Sequence, residues 1–309
     1  MQKKIIFTIV CWLFFLLDIQ ANPLILNFIE VAPNIFVHQG QHFDVDEKYQ
    51  GDICNIGFIV GKEAIAVIDS GGTLEIGRAL KKVIRDKSSL PIRFVINTHV
   101  HLDHIYGNAA FIDEDTEFIG HAELPKAMQF RKEFYERLNL KYLNLPVNET
   151  IQVPPSILIN TGESQLFDLG DRQLKVTAYP IAHTNNDITI EDLKTRTLWA
   201  GDLLFIDRTP VIDGDINGFI STIDQLLLLD IQQVIPGHGT PTKKWKSAFL
   251  KQKKYFIILR DDVRKAITNG QDLQATIDSA AQSEAENWEL FEVQNGRNVN
   301  KIYPVFEWE

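Results

Sequence analysis

Short apolar runs alternate with longer amphipathic ones along most of this chain. NIFVHQ (34–39), CNIGFIV (54–60), AIAVIDS (64–70) and RFVINT (93–98) have strand length and are rich in β-branched and aromatic residues. A second series follows at EFIG (117–120), SQLFDL (164–169), QLKVTAY (173–179), DITIE (187–191), RTLWA (196–200) and QQVIPG (232–237). QLKVTAY alternates apolar and polar positions, as a half-buried strand does. Between these runs, apolar residues recur at helical spacing in LEIGRALKKVIRD (74–86), AELPKAMQFRKEFYERLN (122–139), GFISTIDQLLLL (218–229) and residues 242–268.

Beyond residue 238 the pattern is mainly helical. DLQATIDSAAQSEAENWELFE (272–292) predicts a helix, and Asn295-Gly296 is expected to punctuate it before the terminal segment. Trp288, Phe306 and Trp308 read as core or domain-capping aromatics. Pro146, Pro154 and Pro155 break any helix in KYLNLPVNETIQVPPS (141–156), leaving a long connection. By position it can wall a site, although packing against the domain explains its Leu and Tyr residues equally well.

The 309 residues include 45% hydrophobic positions and no low-complexity linker, which reads as one layered α/β domain. The first residues differ in character. MQKK followed by IIFTIVCWLFFLL is the charged-then-apolar pattern of an export signal, with cleavage expected after Ala21. The expected mature chain therefore runs over 22–309, with a periplasmic destination and no stable membrane association after cleavage; an uncleaved anchor is the alternative. Loss of Lys3, Lys4 and Asp18 moves the formal net charge from -10 to -11, which argues against a nucleic-acid partner. Cys54 would then be the sole cysteine and is expected to be a small buried hydrophobe. Cysteine is expected to be missing near every candidate ligand, so a thiolate-dependent site is disfavoured.

Candidate chemistry concentrates in THVHLDH (98–104). His99, His101, Asp103 and His104 follow a predicted strand directly, where a turning loop can aim the first two at one metal and the others at a neighbouring one. Three further donors end later strands: His183 in AHT, Asp202 in AGD and His238 in PGHG. Imidazole and carboxylate suit zinc, with manganese or iron less favoured. Asn185, Asn186 and Asp187 are turn formers with a lesser claim to the pocket edge. Tyr106 is either a pocket residue or packing beneath the next helix.

HVHLDH, AHT, AGD and PGHG, in this order and at these intervals, resemble the signature of the metallo-beta-lactamase superfamily. The resemblance implies an αββα sandwich, two mixed sheets flanked by helices. It also implies two Zn2+ ions: His99, His101 and His183 on the first, Asp103, His104 and His238 on the second, and Asp202 bridging. Asp69 would steady the ligand loop without binding metal, and Asp103 would also orient the attacking water or move a proton. An aspartate at position 202 is similar to the glyoxalase II type rather than to many true beta-lactamases. Residues 37–61 and the terminal NGRNVNKIYPVFEWE (295–309) resemble the exported quinoprotein relay system zinc metallohydrolases, relatives of SoxH proteins.

The expected function is that of a periplasmic dinuclear zinc hydrolase attacking the carbonyl of a small ester, thioester, amide or lactam. Functional association with quinoprotein or sulfur-oxidation systems is implied by the subgroup. Alternatives are a beta-lactamase-like activity, an iron-dependent persulfide oxidoreductase, and a non-enzymatic sulfur or quinoprotein maturation protein.

Overall fold

A computed structural model describes residues 24–112 and 115–309. The expected export signal, 1–21, lies outside the described residues. Two mixed sheets form the middle of the molecule. The first has seven strands in sequence order: β1 (Ile29–Ala32), β2 (Ile35–His38), β3 (Ile56–Val60), β4 (Ile65–Ile68), β5 (Ile92–Ile96), β6 (Glu117–His121) and β7 (Ile157–Ile159). Strands β1 to β4 pair antiparallel and β4 to β7 pair parallel. The second sheet has the order β12-β11-β10-β9-β8, from β8 (Ser164–Asp168), β9 (Gln173–Ala178), β10 (Ile188–Asp192), β11 (Thr197–Phe205) and β12 (Gln233–His238).

Apolar alternation determines how the layers stack. Ile35, Val37, Ile59, Ala66 and Ile96 from the first sheet meet Leu174, Val176, Ile188, Ile190 and Trp199 from the second in one buried cluster. The opposite face of the first sheet carries Phe58, Val67 and Val95, which pack on Ile76, Leu80 and Ile84 of α1 (Leu74–Lys87). Thr73 caps that helix, its side chain accepting the Ile76 N–H. Leu198 and Leu204 of β11 pack outward against α4 (Ile216–Leu226), α5 (Trp245–Thr268) and, beyond the short α6 (Leu273–Ser279), α7 (Phe291–Phe306). This is the αββα sandwich. Among the described residues, no helix is long and apolar enough to cross a membrane.

Three expectations need correction. Asn295-Gly296 does not end a helix, because α7 runs through both residues. Asn295 is buried there, accepting from Tyr255 Oη at 2.9 Å and donating to the Ala280 carbonyl at 3.0 Å, so tertiary partners override local turn preference. Trp308 is 88% exposed at the chain end rather than in the core, whereas Trp288 and Phe306 are buried. Finally, α3 extends over Leu124–Leu143. From the 141–156 segment only Tyr142, in the last turn of that helix, joins Arg131, Phe134, Tyr135 and Leu138 in the wall of the site described next.

Candidate metal centre

Each candidate donor sits where a strand ends or is deformed. The loop leaving β5 carries His99 and His101 into the short helix α2 (Leu102–Ile105), which holds Asp103 and His104. His183 follows β9, and His238 is the last residue of β12. Asp202 lies inside β11 rather than past its end. Gly201 makes this work: its φ of +53° accompanies an irregularity in the β11–β12 register and turns Asp202 toward the loops. Gly237 is required on the partner strand, since a Cβ there would lie 1.9 Å from Asp202 Oδ1.

The fold brings all seven donors together. His99 Nε2 and His183 Nε2 each lie 3.0 Å from His101 Nδ1. Asp202 Oδ2 is 3.3 Å from His183 Nε2 and 3.7 Å from His99 Nε2. On the other side, Asp202 Oδ2 is 3.3 Å from His238 Nε2, and its Oδ1 is 3.4 Å from His104 Nε2. Asp103 Oδ2 completes this second group, 3.4 Å from His104 Nε2 and 3.6 Å from His238 Nε2. Asp202 is therefore shared by both groups, as a bridging ligand would be.

The remaining ring nitrogens are fixed by other partners. His104 Nδ1 donates to Asp69 Oδ2 at 2.8 Å, and His183 Nδ1 donates to the Val211 carbonyl at 2.8 Å. His238 Nδ1 donates to the Ile53 carbonyl at 2.6 Å. His101 turns the other way, offering Nδ1 to the cluster while Nε2 donates to Asp213 Oδ2 at 2.9 Å. Such partners orient the rings and fix their tautomers. Asp69, just past β4, also accepts the Thr98 N–H and hydroxyl, both at 2.8 Å.

The donor set fits divalent cations by its chemistry. Burial pushes His183 down to about 4 and also lowers His99 and His238, favouring neutral imidazoles at these three, whereas at His104 burial is outweighed by the acidic groups around it, Cys54, Asp103 and Asp69 foremost, which raise it. Burial opposes ionisation of Asp202 and Asp103, yet the surrounding histidines hold both carboxyls below their usual range. Neutral imidazole and ionised carboxylate are the ligating forms. His104 Nε2 and Asp202 Oδ1 are moreover buried without a hydrogen-bond partner, a costly arrangement that a cation between them relieves.

Cys54 corrects one expectation. It is a buried hydrophobe, but it also lies beside Asp103 and His104, close enough to form a potential ligand group with them. Its thiol donates to the Asp103 carbonyl at 2.9 Å, and burial pushes its pKa upward, away from thiolate. Tyr106 proves to be packing: buried against Tyr135, it accepts from Gln152 at 3.2 Å. Asp187 forms the turn after His183, accepting the Thr184 N–H at 2.8 Å and hydroxyl at 2.6 Å.

Two contributors had no clear sequence signal. Asp213, far from any motif, accepts from both His101 and Arg131. Asn55, fully buried, donates from Nδ2 to the carbonyls of Pro236 at 2.8 Å and Gly239 at 2.7 Å, gripping the loop around His238. Four of the donors, His101, Asp103, Asp202 and His238, line a cavity of about 460 Å³, within the range that holds a small molecule. A larger cavity, about 820 Å³ between Glu47, Tyr49, Thr73 and Glu149, contains none of the seven donors. Chemistry therefore selects the smaller one.

Residues 49–253 match the family described as the metallo-beta-lactamase superfamily, and the chain belongs to it. Among solved structures, the stereoselective inverting sec-alkylsulfatase Pisa1 from Pseudomonas sp. is similar at 16% identity and a TM-score of 0.72, over 91% of this chain and 50% of that one. This chain thus spans about half the length of that sulfatase. A metallo beta lactamase from Hirschia baltica is similar at 18% identity and a TM-score of 0.57, over 75% of this chain and 97% of that one. The DIM-1 metallo-beta-lactamase gives 16% identity and a TM-score of 0.59, over 76% and 97%. At these identities the likeness is one of fold.

Proposed function

We propose that the protein is a metal-dependent hydrolase with two zinc ions, acting on the carbonyl of a small ester, thioester, amide or lactam. The observation that carries this is the convergence of seven donors, in two groups sharing Asp202, at one end of a cavity. His99, His101 and His183 would hold one ion, Asp103, His104 and His238 the other, with Asp202 between. When bound, two such cations supply Lewis acidity toward a carbonyl oxygen and lower the pKa of water.

The chain's own groups do the rest. Asp103 remains ionised at the cavity surface, where it can orient water and accept its proton for delivery to a leaving group. Asp202 offsets part of the paired positive charge. The Asp213 carboxylate fixes His101, and the Asp69 carboxylate fixes His104. Val45, Ile53, Leu102 and Phe134 line the same cavity with apolar surface, which favours an acyl group over bulk water.

Membership of the quinoprotein relay group is part of this proposal. The two segments that suggest it, 37–61 and 295–309, both reach the metal cavity, and Arg297 donates to Asp44 in a bidentate pair at 2.7 and 2.8 Å. Export to the periplasm and association with a quinoprotein or sulfur-oxidation system belong to the same reading. Turnover of matched thioester and cephalosporin substrates by zinc-loaded protein, with Asp202→Ala as background, tests it. Metal-dependent hydrolysis of either supports the assignment and ranks the acyl class; no turnover of either with two zinc ions bound removes both from the substrate set.

A further inference from the structure

The three histidines of the first donor group are not equally supported. His99 and His183 are fully buried, whereas the His101 side chain keeps 17% of its surface exposed. A main-chain carbonyl, that of Val211, steers His183. His101 depends instead on the Asp213 carboxylate, itself 26% exposed and carried by a segment outside the helices and strands. A carboxylate in that setting orients a ring only as well as it is itself held.

Two sets of contacts hold it. The Asp213 backbone N–H donates to the His183 carbonyl at 3.0 Å, and the Gly214 N–H reaches the same oxygen at 2.6 Å. The segment 211–214 therefore clasps two of the three histidines. From the other side, Arg131 Nη2 donates to Asp213 Oδ2, the oxygen that also accepts from His101 Nε2. Arg131 is three-quarters buried on α3, with Nη1 3.5 Å from Tyr135 Oη one turn further on. Leu124, Met128 and Tyr135 of that helix pack with Val100, Leu102 and Ile105, the apolar residues interleaved with the ligands of the first motif. The helix that presents the guanidinium is thus fixed to the ligand loop, and the Arg131–Asp213 pair closes a ring of contacts around His101.

We propose that Arg131 is a positioning residue for the first metal site: through Asp213 it fixes the His101 ring with Nδ1 toward the donor group, and so raises metal affinity without contacting the metal. This rests on the two-metal reading of the site and not on hydrolysis. Arg131 also lines both the metal cavity and the groove beyond it past Phe130 and Ile181, so direct contact with substrate is the competing role. The two roles differ in what the protein shows before any substrate is added.

Zinc affinity of the substrate-free protein, measured by competition with a chromogenic chelator, separates them. Arg131→Met should weaken one of the two zinc equivalents by about tenfold, the lower end of the loss for disturbing a ligand's hydrogen-bond partner. The other equivalent should bind as in the parent, which also reports that the variant is folded. Arg131→Lys should recover part of the loss, since it restores the charge but not the planar fork. In an Asp213→Ala background, Arg131→Met should cost nothing further, as for two residues that act through one contact. In spectra of zinc-loaded protein with 15N-labelled histidine, the His101 Nε2 proton should exchange with water faster in Arg131→Met, while the Nδ1 protons of His104 and His183 keep their parent rates. Two zinc equivalents bound as tightly in Arg131→Met as in the parent, with only KM raised, would assign Arg131 to the substrate and overturn the positioning role. Equal weakening of both equivalents, or full additivity with Asp213→Ala, would overturn it as well. A parent protein that binds fewer than two zinc ions would remove the two-metal reading and this inference with it.

Discussion

Asp69 accepts the Nδ1 proton of His104 at 2.8 Å, so His104 has only Nε2 left to present to the second donor group. The same carboxylate ties down the Thr98 backbone and hydroxyl. Asp69 thereby sets both the tautomer of one ligand and the start of the loop that carries four. Asp69→Ala should weaken zinc binding at the second site by about 10- to 100-fold, read by competition with a chromogenic chelator. Unchanged affinity for both ions would show that the loop is held by other means.

Gly237 faces Asp202 across the β11–β12 pair at a distance that excludes any side chain. Gly237→Ala must displace Asp202, the one residue common to both groups. The expected outcome is loss of at least one zinc equivalent by elemental analysis, in protein that retains its far-ultraviolet circular dichroism. Retention of two ions would mean that the strand pair yields instead of the carboxylate.

Asn55, just before β3, makes three contacts with the segment bearing His238 and a fourth with Gly40. Nδ2 donates to Pro236 and Gly239, Oδ1 accepts from Gly40 at 3.2 Å, and the backbone N–H donates to the Gly237 carbonyl at 2.7 Å. Removing the side chain strands two carbonyls and one N–H in the interior, each costing about 1–3 kcal/mol. Asn55→Ala should therefore destabilise the protein by roughly 3 kcal/mol or more in a denaturant titration. A change below about 0.5 kcal/mol, the scale of ordinary surface substitutions, would contradict the role.

How far these relationships were legible depended on their range in sequence. Ten of the twelve strands, the helix 74–87 and the seven donors follow from local periodicity and motif spacing, whereas the short β1 and the three-residue β7 do not stand out. Asp213 and Asn55 do not, because each acts on residues that only the tertiary fold brings near. Asn295-Gly296 misled for the converse reason: its turn preference is local, while Tyr255 and the Ala280 carbonyl hold it in a helix from elsewhere. Cys54 shows both effects. Its apolar strand context correctly predicted burial, but its place under Asp103 spans 49 residues.

His38 offers a test of pH dependence away from the ligand set. Its Nε2 lies 2.9 Å from Asp52 Oδ1, and Nδ1 donates to the Asn27 carbonyl at 3.0 Å. Burial lowers its pKa, but the Asp52 contact and charge outweigh that, leaving a net rise above 6.5. The pair's contribution is then complete below about 6.5 and is lost as pH rises through the higher folded-state value. Asp52→Asn should lower Tm by a few degrees at about pH 5.5 and by less at about pH 9. A gap that widens with rising pH would reverse the assignment.

Stepwise zinc reconstitution ties the number of bound ions to turnover. Metal-free protein would receive increasing zinc, with bound metal and ester or thioester turnover measured on the same samples. A two-zinc hydrolase should show negligible turnover without metal, activity that rises until two equivalents are bound, and a parallel Asp202→Ala series that fails to reach that stoichiometry or that rate. Full turnover in the chelator-treated protein, or two tightly bound ions and undiminished activity in Asp202→Ala, would contradict it.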